Sequence, residues 1–299
     1  MRKALIYGIL ASFFFAFTFI LNRSMNLSGG FWLWSACLRY LFTLPILAVM
    51  LGKSGGLMEA WTEMKKAPGP WVLWSTVGFG LFYAPLTFGS AFGESWLAAA
   101  TWQLTIVAGV LLTPLWGKTI PGRNLAWAFV ILAGIFLLQI PQMRQLEGRV
   151  VALTLIPILV AAFSYPLGNR KIMEICPPHL TTLKRVYAMT LCSMPFWLAM
   201  SGWALLKAGL PGRDQVFQSL LVALFSGVIA TVLFFKATDM VKGNHRQLAV
   251  VEATQSGEVL FTLLGGIFLL QDPVPEPVGL LGIAVIVGGM IGNSLSAGA

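Results

Sequence analysis

The chain has 299 residues, 57% of them hydrophobic and only 10% charged, with a formal net charge of +9, whereas a soluble domain carries about 45–50% apolar and about 25% charged residues. Ten spans of about 20 residues would use about 200 residues and leave no room for a soluble domain, which excludes a cytosolic enzyme, a DNA-binding protein and a secreted disulfide scaffold. The basic balance then reads as Lys and Arg held in the cytoplasmic loops of a polytopic membrane protein and not as a nucleic-acid footprint.

Arg2 and Lys3 precede an apolar run from Ala4 to Leu21, and the following FILNRSM offers no small-residue cleavage site, so the run reads as a retained first span. Long apolar runs bounded by Gly, Pro and charge place spans near 4–22, 31–52, 71–92, 97–116, 124–141, 150–168, 180–203, 217–236, 247–270 and 278–297. With the N-terminus inside, the cytoplasmic segments hold eleven Lys and Arg against five outside, which favours N-in and C-in in the inner membrane. Trp32, Trp34, Trp71, Trp96, Trp116 and Trp203 fall near the predicted interfaces and read as a belt. Cys37, Cys176 and Cys192 form no CxxC pair, so neither a disulfide nor a metal site is expected.

Along the spans, the residues able to carry chemistry are few. Phe13, Phe14, Phe15, Phe17 and Phe19 crowd span 1 on every face, and aromatic faces stabilise organic cations by about 0.5–2 kcal/mol each, although helix packing explains them equally well. Span 2 holds Arg39, span 3 Tyr83, span 4 Trp102 and Gln103, and span 6 Tyr165. A polar tip in mid-span wants a partner or water, which makes these aromatic and amide groups cavity candidates. Span 7 holds Arg185, and span 9 holds Glu252, Gln255 and Glu258. At about 1.5 Å per residue, Glu258 lies roughly 16 Å into span 9 and Glu252 roughly 7 Å, which suggests the pairs Arg39 with Glu258 and Arg185 with Glu252. Two readings stay open for Glu258: a carboxyl that exchanges a proton for substrate, or a structural partner locked by its arginine. Prolines 45, 85, 114, 157, 166 and 195 interrupt spans and mark kinks. In span 10, Ala284, Gly288 and Gly292 form a small-xxx-small face suited to close helix packing or to contact with a second copy.

The chain also repeats itself. Asn22-Arg23 recurs as Asn169-Arg170, Arg39 as Arg185 and Gly80 as Gly227. Thr101-Trp102-Gln103 recurs as Ala253-Thr254-Gln255, and Gly134 as Gly288. Residues 1–144 then form a first five-helix repeat and 145–299 a second, within one integral membrane domain. An odd number of spans turns the second repeat upside down, the arrangement in which a substrate site lies at the repeat interface near the midplane.

The 5+5 duplication, the arginines of spans 2 and 7 and the run FYAPLTFGSAFGESWLAAATWQLTIVAGVLLTPLWGK resemble the drug/metabolite transporter superfamily. The opening GILASFFFAFTFILNRSMNLSGGFWLWSACLRY is most similar to its multidrug resistance efflux branch. The resemblance implies an all-α membrane fold of ten helices and export of small organic molecules. The small four-helix multidrug members carry a Glu in their first helix, and spans 1 and 6 here contain no carboxylate.

The expectation is a secondary active exporter working by alternating access, most simply of drugs or organic cations with proton coupling, with amino acids or other neutral metabolites as the alternative cargo. A membrane-embedded enzyme would need a motif such as HExxH or a Walker loop, and neither is present; the two histidines are His179 and His245. No cofactor is expected. The expected partners are a small-molecule substrate and membrane lipid, with no nucleic acid.

Overall fold

The computed structural model describes all residues except 53–54, 118, 121, 146–147, 242–246, 248–249, 252 and 298–299. The described helices are α1 (Arg2–Leu27), α2 (Trp32–Gly52), α3 (Gly56–Lys66), α4 (Pro68–Gly89), α5 (Ser95–Trp116), α6 (Gly122–Gln145), α7 (Gly148–Ile175), α8 (Thr182–Ala208), α9 (Arg213–Thr238), α10 (Thr254–Leu270) and α11 (Pro277–Ala297), and no strand occurs among the described residues. Each predicted span overlaps one of these helices, the span predicted at 247–270 over the described part Thr254–Leu270. Eight of the helices are long and apolar enough to cross a membrane, while α6 and α10 contribute the shorter apolar stretches Gly122–Leu138 and Thr254–Leu270. Large apolar side chains such as Val49, Leu206 and Phe268 are exposed on the outside, as a lipid-facing surface requires. The chain is a multi-pass α-helical membrane protein.

Helix α3 is not among the predicted spans because it is amphipathic and carries four charges, Glu59, Glu63, Lys65 and Lys66. It starts after Gly55, whose φ of 68° is left-handed, a conformation that glycine adopts without the Cβ penalty. Its acidic first turn and basic last turn complement the helix dipole. Its buried Ala60 and Met64 pack with Trp71, Ile172, Leu180, Ala188 and Met189. Polar bonds fasten the same face: Lys184 Nζ lies 2.5 Å from Glu59, and Lys66 Nζ donates to Glu63 at 2.7 Å. This α3 face also holds Met1 and the Lys236–Tyr7 cation–π contact at 5.3 Å. At the opposite end, the far face, Asn26 Nδ2 donates to the Ala91 carbonyl at 2.6 Å and Trp34 Nε1 to the Gly209 carbonyl at 2.8 Å.

Two spans are locally unwound into π-helical turns, Thr76–Gly80 in α4 and Ala223–Ala230 in α9. Helix α5 breaks at Gln103, and α10 opens with a tightened turn over Thr254–Ser256. Each π turn inserts one residue and re-aims the side chains that follow. Helices α6 and α11 approach backbone to backbone: a Cβ on Gly134 would sit 2.9 Å from the Gly282 carbonyl oxygen and 2.8 Å from Ile286.

Three expectations need correction. Trp34, Trp71 and Trp96 are buried in the protein and not set in a belt, because each lies on a helix face that meets other helices. Gly288 faces open space, and Ala284 is exposed beside it. Of the span 10 small-residue face, only Gly292 meets a large neighbour, the Trp127 ring. The intramolecular packing uses Gly282 and Gly289 instead, so the match of Gly134 to Gly288 is one of sequence and not of packing.

Candidate functional site

A cavity of about 450 Å³ opens among the mid-span segments. Its walls reach from the centre of the bundle toward the α3 face: Phe15, Thr18 and Phe19 of α1, Arg39 and Thr43 of α2, Phe79 and Phe82 of α4, Trp102 and Gln103 of α5, Arg185 and Thr190 of α8, and Asn293 of α11 all line it. Seven of the nine predicted site residues meet here: Glu258, Gln255, Arg39, Arg185, Gln103, Trp102 and Tyr165. They come from five different helices, α2, α5, α7, α8 and α10. Tyr83 lies one layer behind, fully buried under Arg39. Glu252 lies outside the described residues.

Arg39 is held in a fixed pose. Its Nη2 donates to Ser226 Oγ at 3.1 Å and its Nη1 to Thr18 Oγ1 at 3.4 Å, while Thr18 itself donates to Ser226 at 2.6 Å. The guanidinium carbon lies 4.1 Å from the centre of the Tyr83 ring, and Tyr83 Oη accepts from Asn22 Nδ2 at 3.1 Å. Cation–π attraction of this kind is strongest where both partners are desolvated, and here both are buried. Tyr40, the neighbour of Arg39, stacks flat on Trp197 with centroids 4.5 Å apart. The π turn of α9 is what presents Ser226 to this cluster. Gly227 lets Thr43 approach, since a Cβ there would sit 2.8 Å from Thr43 Oγ1.

The opposite wall is aromatic. Phe82, Trp102 and Tyr165 form a triangle with centroid distances of 5.0, 4.8 and 5.7 Å. Glu258 stands near the start of α10, 9% exposed, and lines the cavity. The expected Arg39–Glu258 ion pair is not made: no described cation lies within 4.0 Å of Glu258, and Arg39 spends its bonds on two neutral hydroxyls. The pose set by Thr18, Ser226 and Tyr83 holds the guanidinium away from the carboxyl. Among the described residues Gln255 Nε2 is likewise buried without a hydrogen-bond partner, while Gln103 Nε2 donates to the Ala99 carbonyl at 3.0 Å. Arg185 stands toward the α3 face of the cavity; its expected partner is the undescribed Glu252.

Thr18, Ser226, Asn169 and Asn293 are cavity residues that sequence reasoning passed over. Only Asn169 left a signal, as half of the repeated Asn-Arg pair. Hydroxyls inside apolar runs look like ordinary helix residues until a charged partner is seen beside them. Among the described residues no three His, Cys, Asp or Glu side chains come together as a metal site would need, and the three cysteines are free.

Such a chamber can hold an organic molecule of modest size against aromatic faces while presenting it with a carboxyl and a guanidinium that do not neutralise each other by direct contact. Comparison with known proteins places it. A relative in Bacillus subtilis (strain 168), "Uncharacterized protein YjlA", is 48% identical over 302 residues, covering 97% of this chain and 93% of that protein. A Shouchella clausii protein, "Uncharacterized 42.1 kDa protein in intracellular alkaline protease 3'region", is 45% identical over 266 residues, covering 86% of this chain and 70% of its own length. One solved crystal structure superposes with a TM-score of 0.65 at 15% identity, covering 99% of this chain and 98% of the other, and so shares its fold. The family model described as "EmrE: Putative multidrug resistance efflux transporter" matches residues 2–298. The chain belongs to this family of efflux transporters, within the drug/metabolite transporter superfamily.

Proposed function

We propose that the protein is a secondary active exporter of small organic molecules in the cytoplasmic membrane, with both termini inside, that works by alternating access and exchanges protons for substrate at Glu258. The observation that carries this reading is a cavity-facing, buried carboxyl with no direct cation partner among the described residues. A mid-membrane carboxyl is costly unless it serves a function, and one not locked by an arginine is free to gain and lose a proton. Aromatic faces at Phe82, Trp102 and Tyr165 suit the apolar body of a drug or organic cation. The inverted-repeat reading, residues 1–144 against 145–299, draws support from local structure. The π turns fall at Thr76–Gly80 and Ala223–Ala230, around the matched Gly80 and Gly227, and helix irregularities fall at the matched Gln103 and Gln255.

A second cargo reading rests on Arg39. Among the described residues its guanidinium has only hydroxyl and ring partners where it lines the cavity, which favours a substrate bearing a carboxylate, such as an amino acid. Flux into proteoliposomes under an imposed pH gradient separates the two. Lipophilic-cation flux lost in Glu258→Gln supports cation efflux. Amino-acid flux lost in Arg39→Gln and retained in Glu258→Gln makes this a metabolite exporter and removes Glu258 from the coupling role. Gradient-driven flux unchanged in both variants overturns the site.

A further inference from the structure

On most helices the cavity-lining residues stop short of the far face, the exception being Leu86 of α4, three residues before the helix end at Gly89. On α5 they begin at Trp102, seven residues or about 10 Å from Ser95 at the helix start. On α1 they end at Phe19, one turn before Arg23. On α10 the last is Glu258, about 18 Å of helix before Leu270. Between cavity and far face the chain ends of α1, α5 and α10 converge on one buried carboxylate, Asp272, whose side chain is 3% exposed. Asp272 Oδ2 accepts from the Ser95 backbone N–H at 3.0 Å and from Ser95 Oγ at 2.7 Å, and Oδ1 lies 3.8 Å from Arg23 Nε.

We infer that Asp272, with Ser95 and Arg23, forms the latch that closes the far end of the cavity and is broken and remade in each transport cycle. This rests on the alternating-access reading, since a carrier whose cavity extends toward one face must open at the other. Several features fit a built latch. Ser95 is the first residue of α5, so its N–H is one of the donors that a helix leaves unpaired, and a carboxylate there is favoured by the helix dipole. Gln271, at a left-handed φ of 58°, turns the chain so that the Asp272 N–H reaches the Gly266 carbonyl at 3.0 Å. Gly266 is required by the contact: a Cβ there would overlap Ser95 Oγ and sit 2.7 Å from Asp272 Oδ2. Gly265 beside it would likewise collide with Ile20 of α1. The hold is also releasable. Arg23 Nε is buried with no hydrogen-bond partner among the described residues and stands at ion-pair rather than bonding distance, so the hydrogen bonds broken within the latch itself are the two from Ser95. On the far face water replaces both.

The test places a reporter cysteine at Ile106, which lines the cavity, in a full-length chain with Cys37, Cys176 and Cys192 replaced by Ser. Reaction with a membrane-impermeant maleimide is timed in vesicles of each orientation. The latch predicts slow labelling from the far face in the reference protein. In Asp272→Asn and in Gly266→Ala that labelling accelerates about tenfold, the shift that loss of one charge-assisted hydrogen bond produces, with no gain from the α3 face. Ser95→Ala, which removes the 2.7 Å bond to Asp272, carries the same test if either of those variants fails to accumulate. Far-face labelling within twofold of the reference across the variants overturns the latch, as does an equal rise from both faces, which would report general loosening. A reference protein labelled equally fast from both faces overturns the alternating-access reading, and the latch with it.

Discussion

Replacing Gly168 with alanine pushes a methyl group from α7 into the backbone of α4. The added Cβ would overlap the backbone N and Cα of Gly78 and sit 2.9 Å from the Trp74 carbonyl oxygen. Neither neighbour is a side chain that can rotate away, so the helices must part by roughly 1 Å, which forfeits about a quarter to a half of the dispersion energy along the seam. Overpacking of this kind costs about 1–3 kcal/mol, and a backbone neighbour puts Gly168→Ala at the upper end, about 3 kcal/mol, or a fall of roughly 6–10 °C in unfolding temperature. The seam also carries the site, since Gly78 lies in the π turn of α4 and Gly168 precedes Asn169 in the cavity wall. Thermal unfolding of the purified protein in detergent, with Gly202→Ala as control, measures it. A Cβ on Gly202 meets nothing within 4 Å, so the control is neutral or gains up to about 1 kcal/mol from helix propensity. Equal unfolding temperatures for the two variants would refute the close-approach argument.

The Arg39 pose makes a companion prediction: Ser226→Ala removes one hydrogen bond to a buried charge and lowers stability by about 1.5–3 kcal/mol, whereas Thr18→Ala, whose bond to Arg39 is longer at 3.4 Å, costs less; unfolding temperatures of the two variants rank them. At Gly80 an added Cβ would meet the Phe196 ring at 2.8 Å, a side chain that can yield, so Gly80→Ala destabilises less than Gly168→Ala in the same assay. The hydrogen bond from Lys66 holds the Glu63 carboxyl below the usual carboxylate range, with nearby His179 acting in the same direction. A depressed acid stabilises the folded form above its unfolded pKa of about 4.3, and that contribution is lost as pH falls through the lower folded value. Protection of the α3 amides, relative to the intrinsic exchange rate at each pH, should therefore fall at acid pH in the native protein, and Glu63→Gln should show the lower protection already at neutral pH.

Much of the membrane fold was legible in the chain because apolar runs of the right length have only one stable arrangement in lipid, a helix that satisfies its own backbone. Helix α3 escaped that reasoning because its burial is against neighbouring helices and its polarity reads as loop. The candidate site was legible in part for a related reason: Arg39, Glu258, Gln103 and Gln255 stand out wherever ionisable or amide groups interrupt an apolar span, and they do line one cavity. Whether two such groups pair was not legible. Depth along a helix placed Arg39 opposite Glu258, yet the partners of Arg39 depend on the π turn that brings Ser226 forward and on the ring of Tyr83 behind it. Asp272 looked like an unremarkable residue in the loop between α10 and α11. Only the convergence of three helix ends, permitted by Gly265 and Gly266, turns it into a buried anchor. Composition and hydropathy thus determined the solvent this chain folds in and the elements that cross it. Rotation about each helix axis, which decides the neighbour that a polar side chain meets, is set by close packing across the bundle, and one chain read in isolation carries no record of it.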